Sequence, residues 1–532
     1  MTDNIQRDAH RYTLGLILGV LALRLIYLIA LNPYQLAADE AQYWDWSRNL
    51  SLSYYTKGPG IALLIGASVR LLGDHAWAVR LPAALCAAAT MWILAQMAVQ
   101  ITADKRAGFY AAALFALSPA FIGTAQFMTI DPPLFTCWAL SAWTAMHVFS
   151  AMRDGRSSGM AWPALGLALG IGFLFKYTIL LLLPGLVLYA LVYRRALRWD
   201  RSAAMGLGLA VVVFGLAISP VLIWNAQEGW PTVAHLLGRL GVAGGDMPIA
   251  EPSGRWNLLS AAGRLLEMIG TQVGIVSPPI VVLIGYGLWK HRHQREADAA
   301  LMLWLALPVL LFYGAVAGAT KVLANWPLAG FLTLLVVAAL PMAGAKDRYR
   351  QAVTNWRADS TRPWRGVFRR KPETLSQLAW DWSVAVGVIV AIAIAGAPWL
   401  RGVLPVGAFH RVTGHDLAAA KVEALQQALG DQTAVITDAY GKTALLAFYL
   451  PGQPVVYSAA HRLGDRPSPY DYFATTDLTD PHLRGRPVVL VGSTIDQWRQ
   501  AFKLGDIEPS GHAMGGQLYR ATDYQGPIQE HP

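Results

Sequence analysis

Charged residues are scarce in this chain of 532 residues, since Asp, Glu, Lys and Arg together make up 14%, against about 25% in an average soluble domain. Cysteine is scarcer still: Cys86 and Cys137 are the only two, and both lie in apolar runs. We interpret them as buried packing residues rather than as a disulfide or a metal pair. No Gly-rich loop follows an expected strand ahead of a helix, which disfavours a nucleotide ligand.

Apolar residues are abundant instead, at 55% with a mean hydropathy of +0.37. A helix needs roughly 20 mostly apolar residues to cross a membrane, and backbone groups inside hydrocarbon must be paired within the segment. The long apolar blocks therefore predict an all-α polytopic membrane protein with about eleven spans. The first is expected to end near Leu31, and the others to lie at about 78–101, 107–122, 131–151, 161–175, 177–193, 203–224, 266–289, 298–319, 327–343 and 381–399.

The net charge of +10 comes from basic clusters between the expected spans, and the largest cluster lies at 346–371. Positive residues concentrate on the cytoplasmic side of membrane proteins, and placing every cluster there gives a consistent alternating topology. We therefore expect a multi-pass protein of the inner (plasma) membrane, with a cytoplasmic N-terminus and an extracytoplasmic C-terminus. The basic balance indicates orientation and contact with anionic lipids, and it predicts no nucleic-acid partner.

Two domains are expected, at 1–403 and 404–532. The first is the membrane domain, with an external first loop at 32–77 and a basic cytoplasmic linker at 345–380. The second shows short apolar runs alternating with helical patterns, which predicts a small extracytoplasmic α/β domain. Its strands are expected at 433–437, 454–457 and 487–491, and its helices at 441–449 and 495–503.

Asp39 and Glu40 are adjacent carboxylates shortly after the first expected span, and Tyr43 follows them. At the edge of a membrane a carboxylate can act as general base on an acceptor hydroxyl. The alternative is a helix N-terminus, where acidic side chains interact favourably with the helix dipole. These residues alone leave both interpretations open.

Lys57 follows two tyrosines in Tyr54-Tyr55-Thr-Lys57-Gly-Pro-Gly. A lysine flanked by tyrosines and glycines can present a point charge and hydroxyl groups to a phosphate. The alternative is a snorkelling lysine beside a turn at the membrane interface. Both interpretations again stay open.

In this order, the Asp-Glu pair, Tyr-Tyr-x-Lys-x-Pro and Arg80 in Ala-Val-Arg-Leu-Pro resemble a known group of enzymes. They are similar to the superfamily of protein O-mannosyltransferases and lipid A aminoarabinose transferases, which are membrane glycosyltransferases of the GT-C fold (glycosyltransferase family 39-like). The likeness is strongest over residues 35–135. A C-terminal patch at 447–452 is similar to the external domain of bacterial members.

Three further motifs match in order. Asp131 in Thr-Ile-Asp-Pro resembles the family's second external acidic site, and Lys176 in Phe-Lys-Tyr resembles a short turn between spans. Asn325 and Trp326 in Ala-Asn-Trp-Pro resemble a late external motif. Each has a structural alternative: Asp131 has the pattern of a helix N-cap with proline at the first helical position, Lys176 that of a snorkelling charge, and Asn325 that of an ordinary helix start.

The resemblance implies a sugar donor carried on polyprenyl phosphate, such as an undecaprenyl-phosphate sugar. The acceptor would be a hydroxyl of lipid A, of another cell-envelope glycan or of a protein. The hydroxyl would attack the anomeric carbon, polyprenyl phosphate would leave, and the configuration would invert.

Roles follow from the same resemblance. Asp39 is expected to take the acceptor proton, Glu40 to support it, and Lys57 to hold the leaving phosphate. Asp131 is a further catalytic candidate. The candidates for sharing the donor phosphate are Tyr54, Tyr55, Arg80, Arg255 and Lys321, and those for the acceptor or sugar side are Tyr43, Asn325 and Trp326.

No metal site and no cofactor are expected, because the histidines are scattered or lie in a basic stretch, and because the mannosyl- and aminoarabinosyl-type members are not expected to need a divalent metal. The main alternative function is a transporter or flippase, in which charged groups usually lie mid-span on broken helices. Here the candidates cluster on one external side. A structural subunit of a cell-envelope complex is the third alternative.

Overall fold

The computed structural model describes residues 2–240, 244–246, 257–291, 297–344, 372–400, 410–430 and 432–528. Its internal contacts divide the chain into two units. Unit 1 comprises Met1–Asn32, Arg80–Ser219 and Pro252–Ala397, and unit 2 comprises Pro33–Val79, Pro220–Glu251 and Pro398–Pro532. These units differ from the expected division at 403, because two segments expected in the membrane domain pack with the C-terminal residues.

The helices of the described residues are α1 (Thr2–Ile26), α2 (Ala38–Arg48), α3 (Gly60–Leu72), α4 (Ala76–Thr102), α5 (Lys105–Leu117), α6 (Pro119–Thr124), α7 (Asp131–Asp154), α8 (Ala161–Phe175), α9 (Leu182–Val192), α10 (Arg201–Gln227), α11 (Pro231–Leu240), α12 (Leu258–Val276), α13 (Pro278–His291), α14 (Ala297–Ala319), α15 (Leu328–Ala339), α16 (Pro372–Gly396), α17 (His415–Leu429), α18 (Tyr440–Tyr449) and α19 (Ile495–Ala501). A π turn (Tyr27–Leu31) extends α1, and 3-10 turns precede α9 (Tyr177–Leu181) and follow α15 (Leu340–Gly344).

Within the described residues, five helices are long and apolar enough to cross a membrane, namely α1 with its π turn, α4, α10, α14 and α16. Three other expected spans are shorter apolar helices, Ala161–Phe175, Tyr177–Val192 and Leu328–Ala343. The polytopic helical architecture is thus confirmed, and the chain is a multi-pass membrane protein.

The span expected at 266–289 is not one straight helix. It is broken at Ser277, where α12 and α13 meet at 98°. Ser277 has a φ of +97° and precedes Pro278 and Pro279, whose nitrogens cannot donate to a helical hydrogen bond. The apolar run is continuous in sequence, but the backbone cannot pass straight through these prolines.

Unit 1 packs its helices closely through small residues. A Cβ atom on Gly166 of α8 would lie 2.2 Å from the carbonyl oxygen of Ala210 in α10. Only glycine permits that approach, which is a common way for membrane helices to gain packing contact. Both cysteines are free, and Cys137 is buried in the unit, as expected, whereas Cys86 is only partly buried.

Unit 2 contains a five-stranded sheet in the order β2-β1-β3-β6-β5. The strands are β1 (Ala434–Thr437), β2 (Tyr457–Ser458), β3 (Val488–Val491), β5 (Ile507–Ala513) and β6 (Gly516–Ala521), with a separate pair of β4 (Phe502–Lys503) and β7 (Gly526–Pro527). β1 pairs in parallel with β2 and β3, whereas β6 is antiparallel to β3 and β5. The expected α/β pattern of the C-terminal residues is confirmed.

Helix α2 is fixed in unit 2 by its aromatic face. The Trp44 ring packs edge-on against Phe448 of α18 with centroids 4.9 Å apart, and its Nε1 donates to Asp74 at 2.6 Å. Just before the helix, the backbone N of Leu36 donates to the Tyr449 hydroxyl at 2.7 Å. The start of α2 is therefore held against α18.

Candidate active site

Glu40 lies in the first turn of α2, whose N-cap is Ala37. Its side chain is fully buried, and Oε2 accepts a hydrogen bond from the backbone N of Ala37 at 2.9 Å. This is the reach of a capping carboxylate back to the start of its helix. The helix-start interpretation is therefore confirmed for Glu40, whereas its expected support of Asp39 stays a prediction.

Asp39, one residue earlier, is exposed to solvent although many protein atoms surround it. Burial against those atoms is the largest influence and raises the pKa of its carboxyl group above the usual 3.8, and the nearby charge of Glu40 adds to the rise. The positive charges of Lys57, Arg466 and Arg239 act in the opposite direction. Unit 2 thus presents an accessible carboxylate of raised basicity among three cations.

Lys57 is held in a tight turn. The backbone N of Tyr54 donates to the carbonyl of Lys57 at 3.0 Å, and the N of Lys57 donates to the carbonyl of Tyr54 at 3.3 Å. Pro59 follows as the N-cap of α3. The turn brings the ammonium group within electrostatic reach of Asp39.

The two tyrosines of the motif are engaged by protein groups. Tyr54 is buried, its ring stacks on Trp46 with centroids 4.3 Å apart, and its hydroxyl donates to the Trp46 carbonyl at 2.9 Å. Tyr55 is also buried and donates to the carboxylate of Asp246. Neither hydroxyl is free for a phosphate, so both tyrosines shape the turn instead. Tyr43, expected on the sugar side, is buried edge-on against Trp46.

A second group of polar residues, which the sequence did not predict, surrounds Tyr55. Nδ1 of His235 in α11 lies 2.9 Å from Oδ2 of Asp246, and Nη1 of Arg466 lies 3.4 Å from the same ring nitrogen. Burial lowers the pKa of His235 to about 4, and Arg466 adds to the fall, although Asp246 opposes it. Burial also acts to raise the pKa of Asp246, but the hydrogen bonds from Tyr55 and His235 outweigh it, so that pKa is lowered.

Arg239, His235 and Arg466 could not be found from sequence because they come from segments far apart along the chain. The available signal was the stretch at 225–265, which mixes Trp, His, Arg and acidic residues between two apolar runs. Tyr440, at the start of α18, also feels the charges of Asp39, Arg466 and Arg239, and burial raises its pKa. Unit 2 therefore builds the surroundings of Asp39 from α2, α11, α18 and the segment around Arg466.

Asp131, Lys176 and Asn325 form a buried cluster in unit 1. Lys176 Nζ donates to Oδ1 of Asp131 at 2.7 Å, and Asn325 Nδ2 donates to Oδ2 at 2.6 Å. The side chains of Asp131 and Lys176 are 3% and 11% exposed, so Lys176 is not a snorkelling charge. Ile130 is the N-cap of α7 and Asp131 its first residue, so the expected N-cap role of Asp131 is wrong, because its carboxylate turns to Lys176 and Asn325.

The remaining predicted residues also belong to unit 1. Arg80 is fully buried, with its guanidinium carbon 5.1 Å from the centre of the Phe127 ring. Trp326 packs against Tyr313 with ring centroids 5.7 Å apart. Lys321 is 75% exposed at its side chain and pairs with Glu267 at 3.3 Å. Arg255 lies outside the described residues.

No group of three or more His, Cys, Asp or Glu side chains able to hold a metal occurs in the part of the chain that the structure describes. The three cations around Asp39 make that group better suited to an anion than to a metal ion. Metal independence itself stays a prediction.

Comparison with known proteins bears on the family. Residues 56–224 match the family model described as dolichyl-phosphate-mannose-protein mannosyltransferase. A lipid A galacturonosyltransferase, RgtD, of Rhizobium johnstonii is 29% identical over 62% of this chain and 65% of its own length. An undecaprenyl phosphate-alpha-4-amino-4-deoxy-L-arabinose arabinosyl transferase of Pseudomonas fluorescens is 29% identical over 57% of this chain and 55% of its own length. The chain is thus similar to members of the protein O-mannosyltransferase and aminoarabinose transferase superfamily.

The fold agrees with that similarity. The structure of ArnT from Cupriavidus metallidurans bound to undecaprenyl phosphate superposes with a TM-score of 0.60 at 17% identity, covering 96% of this chain and 97% of that one. The predicted GT-C fold is thus confirmed. The chain spans less than two thirds of the length of the two curated relatives. The family model begins at residue 56, so its match includes Lys57 but not Asp39.

Proposed function

We propose that this protein is a glycosyltransferase that moves a sugar from a polyprenyl-phosphate carrier to a hydroxyl acceptor on the extracytoplasmic side of the inner membrane. The observation that carries the proposal is the Asp39 group: an accessible carboxylate of raised pKa with Lys57, Arg239 and Arg466 acting on it. The names of the relatives, which specify lipid A and undecaprenyl phosphate, support lipid A as the acceptor. Another envelope glycan or a protein hydroxyl stays an alternative acceptor.

In this proposal Asp39 is the general base. Its raised pKa makes it a stronger proton acceptor than an ordinary aspartate, which suits it to an alcohol that becomes acidic only as it attacks. Its exposure lets an acceptor hydroxyl come within hydrogen-bond distance. Glu40 is committed to the helix start by its bond to Ala37, so its contribution is to fix the first turn and to add negative charge beside Asp39.

Lys57 stabilises the leaving phosphate, and Arg239 and Arg466 share that task. At a separation of about 4 Å and an effective dielectric constant of about 20, one cation and one anionic charge attract by roughly 4 kcal/mol. The cations are fixed before the reaction by the turn around Lys57, by α11 and by the contact of Arg466 with His235. Preorganised charge of this kind favours the developing phosphate anion over the intact donor.

The reaction is a single displacement. The acceptor oxygen forms a bond to the anomeric carbon while the bond from that carbon to the phosphate oxygen breaks. The proton of the acceptor hydroxyl goes to Asp39, and the electron pair leaves with polyprenyl phosphate. Attack from the side opposite the leaving group inverts the configuration of the sugar.

The proposed topology follows the distribution of basic residues. About eleven spans, with a cytoplasmic N-terminus, place the loop at 32–77 and the residues from 404 onward outside. The basic stretch 345–380 then faces the cytoplasm. Its residues up to 371 lie outside the described part of the chain, and Pro372–Gly396 is helical. This topology puts Asp39 and Lys57 where a lipid-linked sugar is presented to the outside.

The test is Asp39→Asn in the full-length protein reconstituted with a panel of undecaprenyl-phosphate sugars. Asp39→Asn should reduce release of undecaprenyl phosphate by about 10²-fold or more, because general base catalysis is lost. Asp496→Asn is a matched control, since Asp496 is likewise an exposed acidic residue in the first turn of a helix of unit 2. Release at the wild-type rate from Asp39→Asn would remove the base assignment. Substrate movement across vesicles without release of undecaprenyl phosphate would favour a transporter.

A further inference from the structure

Arg24 is a charged residue inside a membrane span. It lies on α1, within the candidate span Gln6–Leu31, and the apolar run from residue 13 to 31 holds no other charge. At about 1.5 Å per residue, Arg24 is about 10 Å short of Leu31 along the helix. A guanidinium group at that depth in hydrocarbon is costly unless it has a partner or reaches the surface.

Arg24 belongs to the face of α1 that packs on the protein. Ala9, Thr13 and Ile17 are buried at intervals of four residues, and Leu28 in the π turn is buried three turns further on. Arg24 lies seven residues after Ile17 and four before Leu28, on the same stripe. One turn further along, the Tyr27 hydroxyl donates to the carbonyl of Ala395 in α16 at 2.9 Å. Arg24 therefore lies on the packed side of α1, one turn before the contact of Tyr27 with α16, whereas Leu23 and Ile26 beside it are exposed.

Among the residues that the structure describes, no hydrogen bond of the Arg24 guanidinium occurs. Its Nη1 is buried and makes no hydrogen bond, and no ion pair to Arg24 occurs among the described residues. Buried donors left without an acceptor are uncommon and costly, so the structure provides a cation that still requires an acceptor.

The neighbouring helices cannot supply a carboxylate. Gln6 donates to Asp104 at 3.1 Å, so the start of α5 lies beside the start of α1. The other acidic residues of these helices are Asp3 and Asp8 at the start of α1, and Glu373 and Asp381 in the first half of α16. Because Tyr27 meets Ala395 at the C-terminal ends of α1 and α16, whereas these carboxylates lie towards the start of their helices, they are about 15 Å or more from Arg24 along the helix axes.

We propose that Arg24 binds the phosphate of a membrane lipid at the seam between α1 and α16. A hydrogen-bond acceptor from outside the protein must reach Arg24 through the hydrocarbon of the membrane, past the exposed side chains of Leu23 and Ile26. A lipid can do so, because its acyl or isoprenoid chain lies in that hydrocarbon. A phosphate offers the planar guanidinium two parallel charge-assisted hydrogen bonds. The occupant is either the polyprenyl-phosphate carrier or an anionic phospholipid. This site is separate from the Asp39 group, and its existence does not depend on sugar transfer.

The experiment measures lipid binding by the purified full-length protein in detergent, with undecaprenyl phosphate and phosphatidylglycerol as separate probes. Arg24→Gln should weaken binding of one probe by on the order of tenfold to a hundredfold, and the probe affected identifies the occupant. Arg24→Lys should retain part of the affinity, because the charge stays and the fork is lost. Arg11→Gln, which removes an arginine near the other end of the same helix, is the matched control and should leave binding unchanged.

Unchanged binding of both probes by Arg24→Gln would overturn the proposal, as would an equal loss in Arg11→Gln, which would indicate unspecific attraction. A measurement on the unaltered protein covers the case in which Arg24→Gln does not fold. Undecaprenyl phosphate or phosphatidylglycerol with a diazirine beside the phosphate should crosslink to peptides around Arg24 or Ala395. Crosslinks found only elsewhere would contradict the site. Loss of sugar transfer in Asp39→Asn with lipid binding intact separates this site from the proposed reaction.

Discussion

The buried pair of Asp131 and Lys176 allows a sharp test of whether that cluster is structural or catalytic. The perturbation is Lys176→Met, which removes the cation and keeps an unbranched side chain. The Asp131 carboxylate, which is 3% exposed, would then keep only the hydrogen bond from Asn325, at 2.6 Å.

The magnitude follows from the geometry. At 2.7 Å and an effective dielectric constant of about 20, the two charges attract by roughly 6 kcal/mol. Removing both from water offsets most of that attraction, so the intact pair contributes little net stability. Removing one partner leaves an uncompensated buried charge, which costs about 3–5 kcal/mol. Asp131→Asn should cost a similar amount, because Lys176 would be left unpaired.

The double variant Asp131→Asn with Lys176→Met should recover most of the loss, since neither charge remains. The assay is unfolding in mixed micelles with increasing SDS, followed by tryptophan fluorescence, for the wild type, both single variants and the double variant. A coupling energy of several kcal/mol across this cycle is expected. Single variants that unfold with the wild type, or a double variant as unstable as the sum of the two, would refute the reasoning.

Sugar transfer by the same four proteins decides the role of Asp131. If the cluster is structural, the double variant should regain transfer together with stability. If Asp131 acts in catalysis, the double variant should be folded and inactive. Asn325 provides a second check, because Asn325→Ala should weaken the cluster without leaving a new buried charge.

Two further predictions concern unit 2. Lys57→Ala should lower kcat/KM for the lipid-linked donor about tenfold to a hundredfold whichever acceptor is offered, because one charge-assisted hydrogen bond to the phosphate is lost. The control is Lys503→Ala, which removes an exposed lysine of the same unit. An unchanged donor affinity in Lys57→Ala would reject the phosphate role. Burial raises the pKa of Asp45 to about 6 from its ordinary 3.8. The folded state therefore holds the Asp45 proton more tightly than the unfolded state does, which stabilises the fold fully below about pH 4. This contribution of about 3 kcal/mol is lost as the pH rises through about 6. Asp45→Asn should therefore melt at a higher temperature than the wild type at pH 8 and at a similar temperature at pH 4, and an unchanged pH dependence in the variant would contradict this assignment.

The helices were predictable because apolar runs of sufficient length can only be helical in hydrocarbon. The bend at Ser277 was not predicted, because the apolar run continues there while two prolines remove donors and turn the chain. The buried strands β1 and β3 were predictable for a related reason, since each is a continuous apolar run. The hairpin of β5 and β6 was not predicted, because its residues alternate with Glu, Ser, His and Gly and carry no apolar run. Helix α17 was also missed, although Gly414 and Gly430 bound it.

The sequence by itself determined that the chain is a multi-pass helical protein with an α/β segment at its C-terminus, because these properties depend on local composition. It also singled out Asp39 and Lys57 as candidates. Only the tertiary structure decided which other groups act on Asp39. Arg239 and Arg466 reach it because α11 and the segment around residue 466 fold into one unit with α2. It also decided that Asp131, Lys176 and Asn325 meet in one buried cluster. Buried charges require partners, and these partners lie far apart along the chain.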